Sequence, residues 1–262
     1  MVCLIYSADQ ATSVNIAEAL KGMLGFEEAG AVDGMDSFKA GKTRMLEVHG
    51  GITDANFVGG AIGDDLAIFL SMHSSGRGIA AFTVHAEGNW GSDAKLGGMP
   101  KRLSTASPHN MCSMLNALHE KRGQLQATYE ATHHGPLLDA PSFFVEVGGT
   151  DEAMNSKLLA ETLAAAVADF LSADKAEYGK VAIGIGGTHY PEKFTRLALD
   201  GTYAFSHIMP KYALCNDMLQ QAVERSEVRA ETAVIEWKSL NAEQRAGILQ
   251  ELEKIGVDYE KV

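Results

Sequence analysis

The chain is poor in the residues that mark several protein classes. It has 3 cysteines in 262 residues, namely Cys3, Cys112 and Cys215. They are odd in number, lie far apart and form no Cys-x-x-Cys pair. That excludes a disulfide scaffold and a cysteine-type zinc site, and leaves reduced, buried thiols. No apolar run approaches the ~18 residues of a membrane span. Even the greasiest helical stretch, Leu158 to Leu171, is interrupted by Glu161 and Asp169. The opening residues, Met1 to Asp9, carry no basic stretch and turn polar too soon for a signal peptide. Cations are scarce too: 22 Lys and Arg stand against 34 Asp and Glu, a formal net charge of −12. Counterion release needs clustered Lys and Arg, so a general DNA binder is disfavoured. These absences describe a cytoplasmic protein with no membrane partner.

Phosphate and nucleophile signatures are also missing. There is no Walker glycine loop. The Gly184-Ile185-Gly186-Gly187 turn fails the dinucleotide fingerprint, because His189 stands where the third glycine belongs. Glycines there suit tight turns and the close approach of a ligand. Neither a Gly-x-Ser-x-Gly elbow nor a His-Glu-x-x-His zinc motif occurs.

What is present is an alternation of apolar strands and amphipathic helices. Val2–Tyr6, Met45–Val48, Leu66–Leu70, Ile79–Val84, Leu125–Tyr129, Phe143–Val147 and Val181–Ile185 read as strands of a sheet covered on both faces. Helical stripes fill 11–24, a stretch opened by Ser107-Pro108, a long run from Thr150 to about Leu171, and a last helix capped by Asn241 and Gln244 that ends near Gly256. With no repeat and no Pro/Gly-rich linker, residues 1–262 are expected to form a single α/β domain. Its central sheet should be mostly parallel or mixed, with helices on both faces.

The turns after these strands carry the chemistry. His49, His73, His85, His133, His134 and His189 lie at or just past strand ends, where α/β sheets place their ligands. His85, Glu130, His133, His134 and His189 form the strongest group, each beside a glycine or another polar turn residue. Neutral imidazole and carboxylate are zinc ligands, and a bound metal can supply hydroxide near neutral pH. The same residues suit metal-free work, with one imidazole as general base and another facing the oxyanion. His49 and His73 suit a structural role and site lining equally. His109, His119 and His207 are given no role.

Taken together, the turn motifs resemble the D-aminoacyl-tRNA deacylase family of archaea and plants. The matching stretches are Thr83-Val84-His85, Gly88-Asn89-Trp90-Gly91, Tyr129 to Pro136, Pro141 to Gly148, Gly184 to Tyr190, Pro210-Lys211-Tyr212 and Glu236-Trp237-Lys238. Two positions depart from the pattern: Glu87, where a proline is expected, and Gly149, where a serine is expected. The resemblance implies hydrolysis of the ester joining a D-amino acid to the 3′-terminal ribose of tRNA, a form of chiral quality control. It also implies zinc, and a phosphorylase or peptidyl-tRNA-hydrolase type of α/β fold.

On this reading Glu130, His133, His134, His85 and His189 are the catalytic and metal-binding candidates. Asn89, Gly186 and Gly187 are substrate contacts. Lys95, Lys101, Arg102, Lys193, Arg196 and Lys211 are phosphate contacts that make a small cationic rim on an acidic body. The partner is the acceptor end of D-aminoacyl-tRNA, and the protein is a monomer or small homo-oligomer. A zinc peptidase or amidohydrolase acting on a small substrate is the first alternative. A nucleotide- or tRNA-binding module without catalysis is the second.

Overall fold

Continuous apolar runs bury both faces of a strand, and all seven runs do become strands. The computed structural model describes residues 1–74, 78–174 and 176–262. Ser75 and Gly76, expected to end the turn after the third strand, lie outside the described residues.

The first part of the chain runs β1 (Val2–Ser7), α1 (Ala11–Leu24), β2 (Glu27–Val32), β3 (Met35–Ala40), β4 (Thr43–Val48), α2 (Val58–Ile62), β5 (Leu66–Ser74) and β6 (Ala81–His85). The middle holds short β7 (Gly88–Asn89), β8 (Arg102–Leu103) and β9 (Thr105–Ala106), then α3 (Pro108–Lys121), β10 (Gln126–Tyr129), β11 (Pro141–Gly149), α4 (Asp151–Met154) and α5 (Lys157–Ser172). The last part runs β12 (Lys180–Ile185), α6 (Glu192–Leu199), β13 (Tyr203–Met209), α7 (Leu219–Glu224), β14 (Thr232–Ile235), α8 (Ala242–Ile255) and β15 (Asp258–Lys261).

The architecture is α/β with a mixed principal sheet flanked by helices. The order in that sheet is β10-β6-β11-β5-β1-β4-β3-β2, with β9 pairing at the start of β11. β11 is the pivot: it runs parallel to β5 and antiparallel to β6. A second, wholly parallel sheet has the order β13-β12-β14-β15. The two sheets meet just after β10, where the amides of Ala131 and Thr132 donate to the carbonyls of His189 and Ile208. One buried apolar cluster reaches from Leu4 on β1 to Val234 on β14, so the sheets share a core.

Three local differences from the sequence reading have simple causes. The helix expected from Thr150 is interrupted, because Ser156 accepts from the amide of Leu159 and caps a new start at Lys157. Ser107 precedes α3 without capping it; its hydroxyl donates to Glu227. Cys3 and Cys112 are buried as expected, whereas Cys215 is half-buried and its thiol donates to Asp217. Asn241 and Gln244 do form the expected capping box, and α8 ends at left-handed Gly256.

Candidate active site

Strand alternation selects the site. On β11, Phe143, Val145 and Val147 enter the shared core, so Ser142, Phe144 and Glu146 take the opposite face. On β6 the same alternation puts His85 beside that face, and Phe144 is its register partner. On β5 it places Phe69, Ser71 and His73 there. Glu130 follows β10 directly alongside His85, since Tyr129 pairs with Val84. Because β6 and β11 are antiparallel, the donors gather over one face of the mixed sheet rather than along a single row of parallel strand ends. The second sheet adds His189 from the turn after β12.

Three imidazoles surround one carboxylate oxygen. Glu130 Oε2 lies 2.8 Å from His189 Nε2, 3.3 Å from His73 Nδ1 and 3.6 Å from His133 Nε2. Behind them His85 Nε2 is 3.4 Å from Glu146 Oε2, both groups fully enclosed. The His85 ring lies 4.4 Å from that of His133 and 4.9 Å from that of His134. Adjacent His133 and His134 both reach the site because His134 takes a left-handed backbone, φ 45°. Their rings sit 4.3 Å apart. Gly135 makes that turn fit: a Cβ there would lie 2.1 Å from the Gly98 amide nitrogen.

The imidazoles are oriented by their second nitrogen. Nδ1 of His133, His134 and His85 lies 2.8, 2.6 and 3.2 Å from the carbonyls of Ala131, Gly135 and Ala86. A carbonyl only accepts, so each ring carries its proton on Nδ1 and turns an Nε2 lone pair inward when neutral. Burial first, then neighbouring histidines, hold His133 well below the ordinary imidazole value. Burial and the nearby His85 charge bring His134 down to about 3. His85 goes the other way: burial opposes its charge, but Glu146 outweighs burial and raises it to about 9. For Glu130, burial is overcome by His189, His85 and His73, which bring it down to about 2.

These residues fit a metal ion. Neither oxygen of Glu130 has an aligned hydrogen bond, nor has Nε2 of His189, although all are buried. Buried polar atoms are normally satisfied. One donor atom from each of His73, Glu130, His133 and His189 lies within 4.8 Å of the others. His85 with His133 and His134, and His85 with Glu130 and Glu146, form two further such groups.

The cluster opens on a cleft of about 430 Å³ walled by Trp90, His133, His134, Pro210, Tyr212 and Leu214. A larger cleft of about 620 Å³ between α3 and α6 contains Arg196 and His119 but none of the cluster's donors. Asn89 reaches the smaller cleft, yet its amide group donates to the carbonyls of Gly97 and Met99, bracing the 91–101 loop. The Gly186 and Gly187 amides donate to the Met209 carbonyl and the Ser239 hydroxyl. Lys101 pairs with Asp217 beside the cleft residue Cys215, Lys95 with Asp93, and Lys193 with Glu236. Arg102 and Lys211 are exposed.

His73 joins the cluster, whereas His49 faces Asp9 on an exposed turn. Sequence reasoning left out Glu146 and Tyr212 as well. Glu146 was visible as the one charge inside an apolar strand. Glu87 is fully buried; it accepts from Ser142 Oγ at 3.2 Å, and burial pushes it up to about 7. Gly149 has φ 139°, and a Cβ there would lie 2.9 Å from Ala80 Cα, so this backbone excludes the serine expected at that position.

Residues 62–260 match the family model described as D-aminoacyl-tRNA deacylase. A D-aminoacyl-tRNA deacylase of Ignicoccus hospitalis is 44% identical over 202 residues, covering 76% of this chain and 81% of that protein. One from Thermococcus kodakarensis is 34% identical over 258 residues, 94% of each chain. The crystal structure of a conserved protein of unknown function aligns with a TM-score of 0.90 at 32% identity, covering 100% of this chain and 95% of that one. The chain belongs to the D-aminoacyl-tRNA deacylase family.

Proposed function

We propose that this protein hydrolyses the ester between a D-amino acid and the 3′-terminal ribose of tRNA, releasing both. Family membership supports the substrate class. The observation that carries the chemistry is the buried Glu130 carboxylate, ringed by three imidazoles and without an aligned hydrogen bond.

We assign zinc to His73, Glu130, His133 and His189, a borderline-soft set of nitrogen and oxygen donors. When bound, the ion acts as a Lewis acid and lowers the pKa of a water to about 7. His134 orients the attacking water: its Nδ1 is held by the Gly135 carbonyl, its Nε2 is a lone pair at neutral pH that accepts a hydrogen bond, and it lines the cleft. The His85–Glu146 pair behind it fixes charge and ring position. Asn89 and the Gly186-Gly187 turn shape the walls that receive the substrate. Lys95, Lys101, Arg102, Lys193 and Lys211 hold the acceptor-end phosphates, whereas Arg196 lies in the separate cleft between α3 and α6; with a net charge of −12, that grip is weak and salt-sensitive.

The working unit is one domain of residues 1–262, as the core shared by both sheets supports. It acts in the cytoplasm as a monomer or small homo-oligomer, without DNA. Among the described residues no helix is long and apolar enough to cross a membrane.

Release of tyrosine from D-Tyr-tRNA and L-Tyr-tRNA tests the reading. The D-ester should be hydrolysed and the L-ester spared. Equal rates, or no release with zinc supplied, would sink it. Cleavage of small amides without the tRNA body would favour a peptidase or amidohydrolase instead.

A further inference from the structure

Three of the clustered imidazoles are anchored by backbone. His133, His134 and His85 each point Nδ1 at a carbonyl one or two residues away, which leaves a single choice of tautomer. His189 is anchored differently. Its Nδ1 lies 3.1 Å from the hydroxyl of Tyr212, and a hydroxyl can donate or accept. The backbone of His189 is pinned through its carbonyl to Ala131, but that bond leaves the ring free to turn. The segment carrying Tyr212 is joined to the same turn by the Lys211 amide, which donates to the Gly187 carbonyl at 3.2 Å. Tyr212 is 63% exposed and walls the cleft beside His133 and His134.

The other end of the ring faces the cluster. His189 Nε2 sits 2.8 Å from Glu130 Oε2. Two lone pairs that close repel, so Nε2 turns a lone pair to the carboxylate only when both share a cation, the metal of the reading above. We infer that Tyr212 is a positioning residue: in the metal-loaded protein its hydroxyl accepts the Nδ1 proton of His189, and so holds the Nε2 lone pair on the ion shared with Glu130, His73 and His133. The assignment deepens the metal reading above and rests on it. It also links the cleft to the donor cluster, since the side chain that orients His189 is one that a bound substrate would touch.

Partners that orient a ligating imidazole typically contribute 10–100-fold to metal affinity. Tyr212→Phe keeps the ring and the cleft wall and removes only the hydroxyl. Titration of the full-length protein with zinc against a chromophoric chelator should show the dissociation constant rising about 10–100-fold. Turnover of D-Tyr-tRNA should fall at limiting zinc and recover in excess zinc, with KM unchanged. Wild-type zinc affinity in Tyr212→Phe overturns the assignment, and a lowered melting temperature alone would mark the residue as merely structural. A second readout is spectroscopic. In the zinc-loaded wild-type protein, ¹⁵N shifts should show His189 protonated on Nδ1, with that proton exchanging faster with solvent in Tyr212→Phe. If the wild-type protein takes up no zinc, the metal reading falls and this assignment with it. Zinc uptake with a His189 ring protonated on Nε2 contradicts the assignment alone.

Discussion

The inner and outer halves of the donor cluster use the same residue types in opposite ways. The inner pair, His85 and Glu146, sits on β6 and β11 with no solvent access, and its partners are each other. The outer set, His73, His133 and His189 around Glu130, keeps side chains 18–32% exposed beside a fully buried carboxylate. Against the cost of burial, the Glu146 carboxylate stabilises the imidazolium of His85. Burial among other imidazoles, with Nδ1 on a carbonyl, leaves His133 neutral with a free lone pair. The difference in neighbours, not in residue type, separates a supporting charge from a group able to hold a metal.

This contrast is broken most severely at its outer half. His133→Ala should lower turnover of D-Tyr-tRNA by about 10³-fold or more while leaving circular dichroism and melting temperature nearly unchanged. Turnover within a few-fold of wild type would mean that the outer half is not the reacting centre. At the inner half the effect should appear in stability instead. Glu146→Gln leaves the His85 cation without its carboxylate, at a cost of about 4 kcal/mol in denaturant unfolding. An unchanged midpoint would show that His85 is neutral and that the two halves are alike.

His207 supplies a buried imidazole of a third kind, with neither cluster nor carboxylate. Its Nε2 lies 2.8 Å from the Arg225 carbonyl, and burial brings it down to about 4 from 6.5. The folded protein therefore binds this proton less readily than the unfolded chain. Its contribution is complete above 6.5 and is lost as pH falls through 4. The total is roughly 3 kcal/mol. In metal-stripped protein, His207→Gln should flatten the decline of stability between those values. A decline identical to wild type would assign it to other groups. The smallest effect belongs to the rim. Lys101→Ala with Lys211→Ala should raise KM a few-fold and make the salt dependence shallower by about one or two charges. An unchanged salt slope would move the phosphate contacts elsewhere.

The principal strands and the donor turns were legible because apolar runs and clustered histidines are local signals. β2 and β3 were not, since β2 is almost wholly exposed and its Glu27-Glu28-Ala29-Gly30-Ala31 run has no alternation. Likewise β13 is fully buried but interrupted by Ser206 and His207, and exposed β15 reads as a polar tail. His49 and His73 carried the same sequence signal and parted only in three dimensions. His73 lies on the β5 face shared with Glu146 on β11, while His49 follows β4, two strands further from the donors. Tyr212 gave no signal as a partner of His189, because residues 23 positions apart on different strand-end turns meet only after the second sheet forms.

The most direct test is deacylation by one preparation in three states: as purified, stripped by chelator, and stripped then resupplied with zinc. The account predicts release from D-Tyr-tRNA in the first and third states, little in the second, and none from L-Tyr-tRNA in any. Full activity after stripping would contradict the metal assignment, and equal release from the D- and L-esters would contradict the function itself.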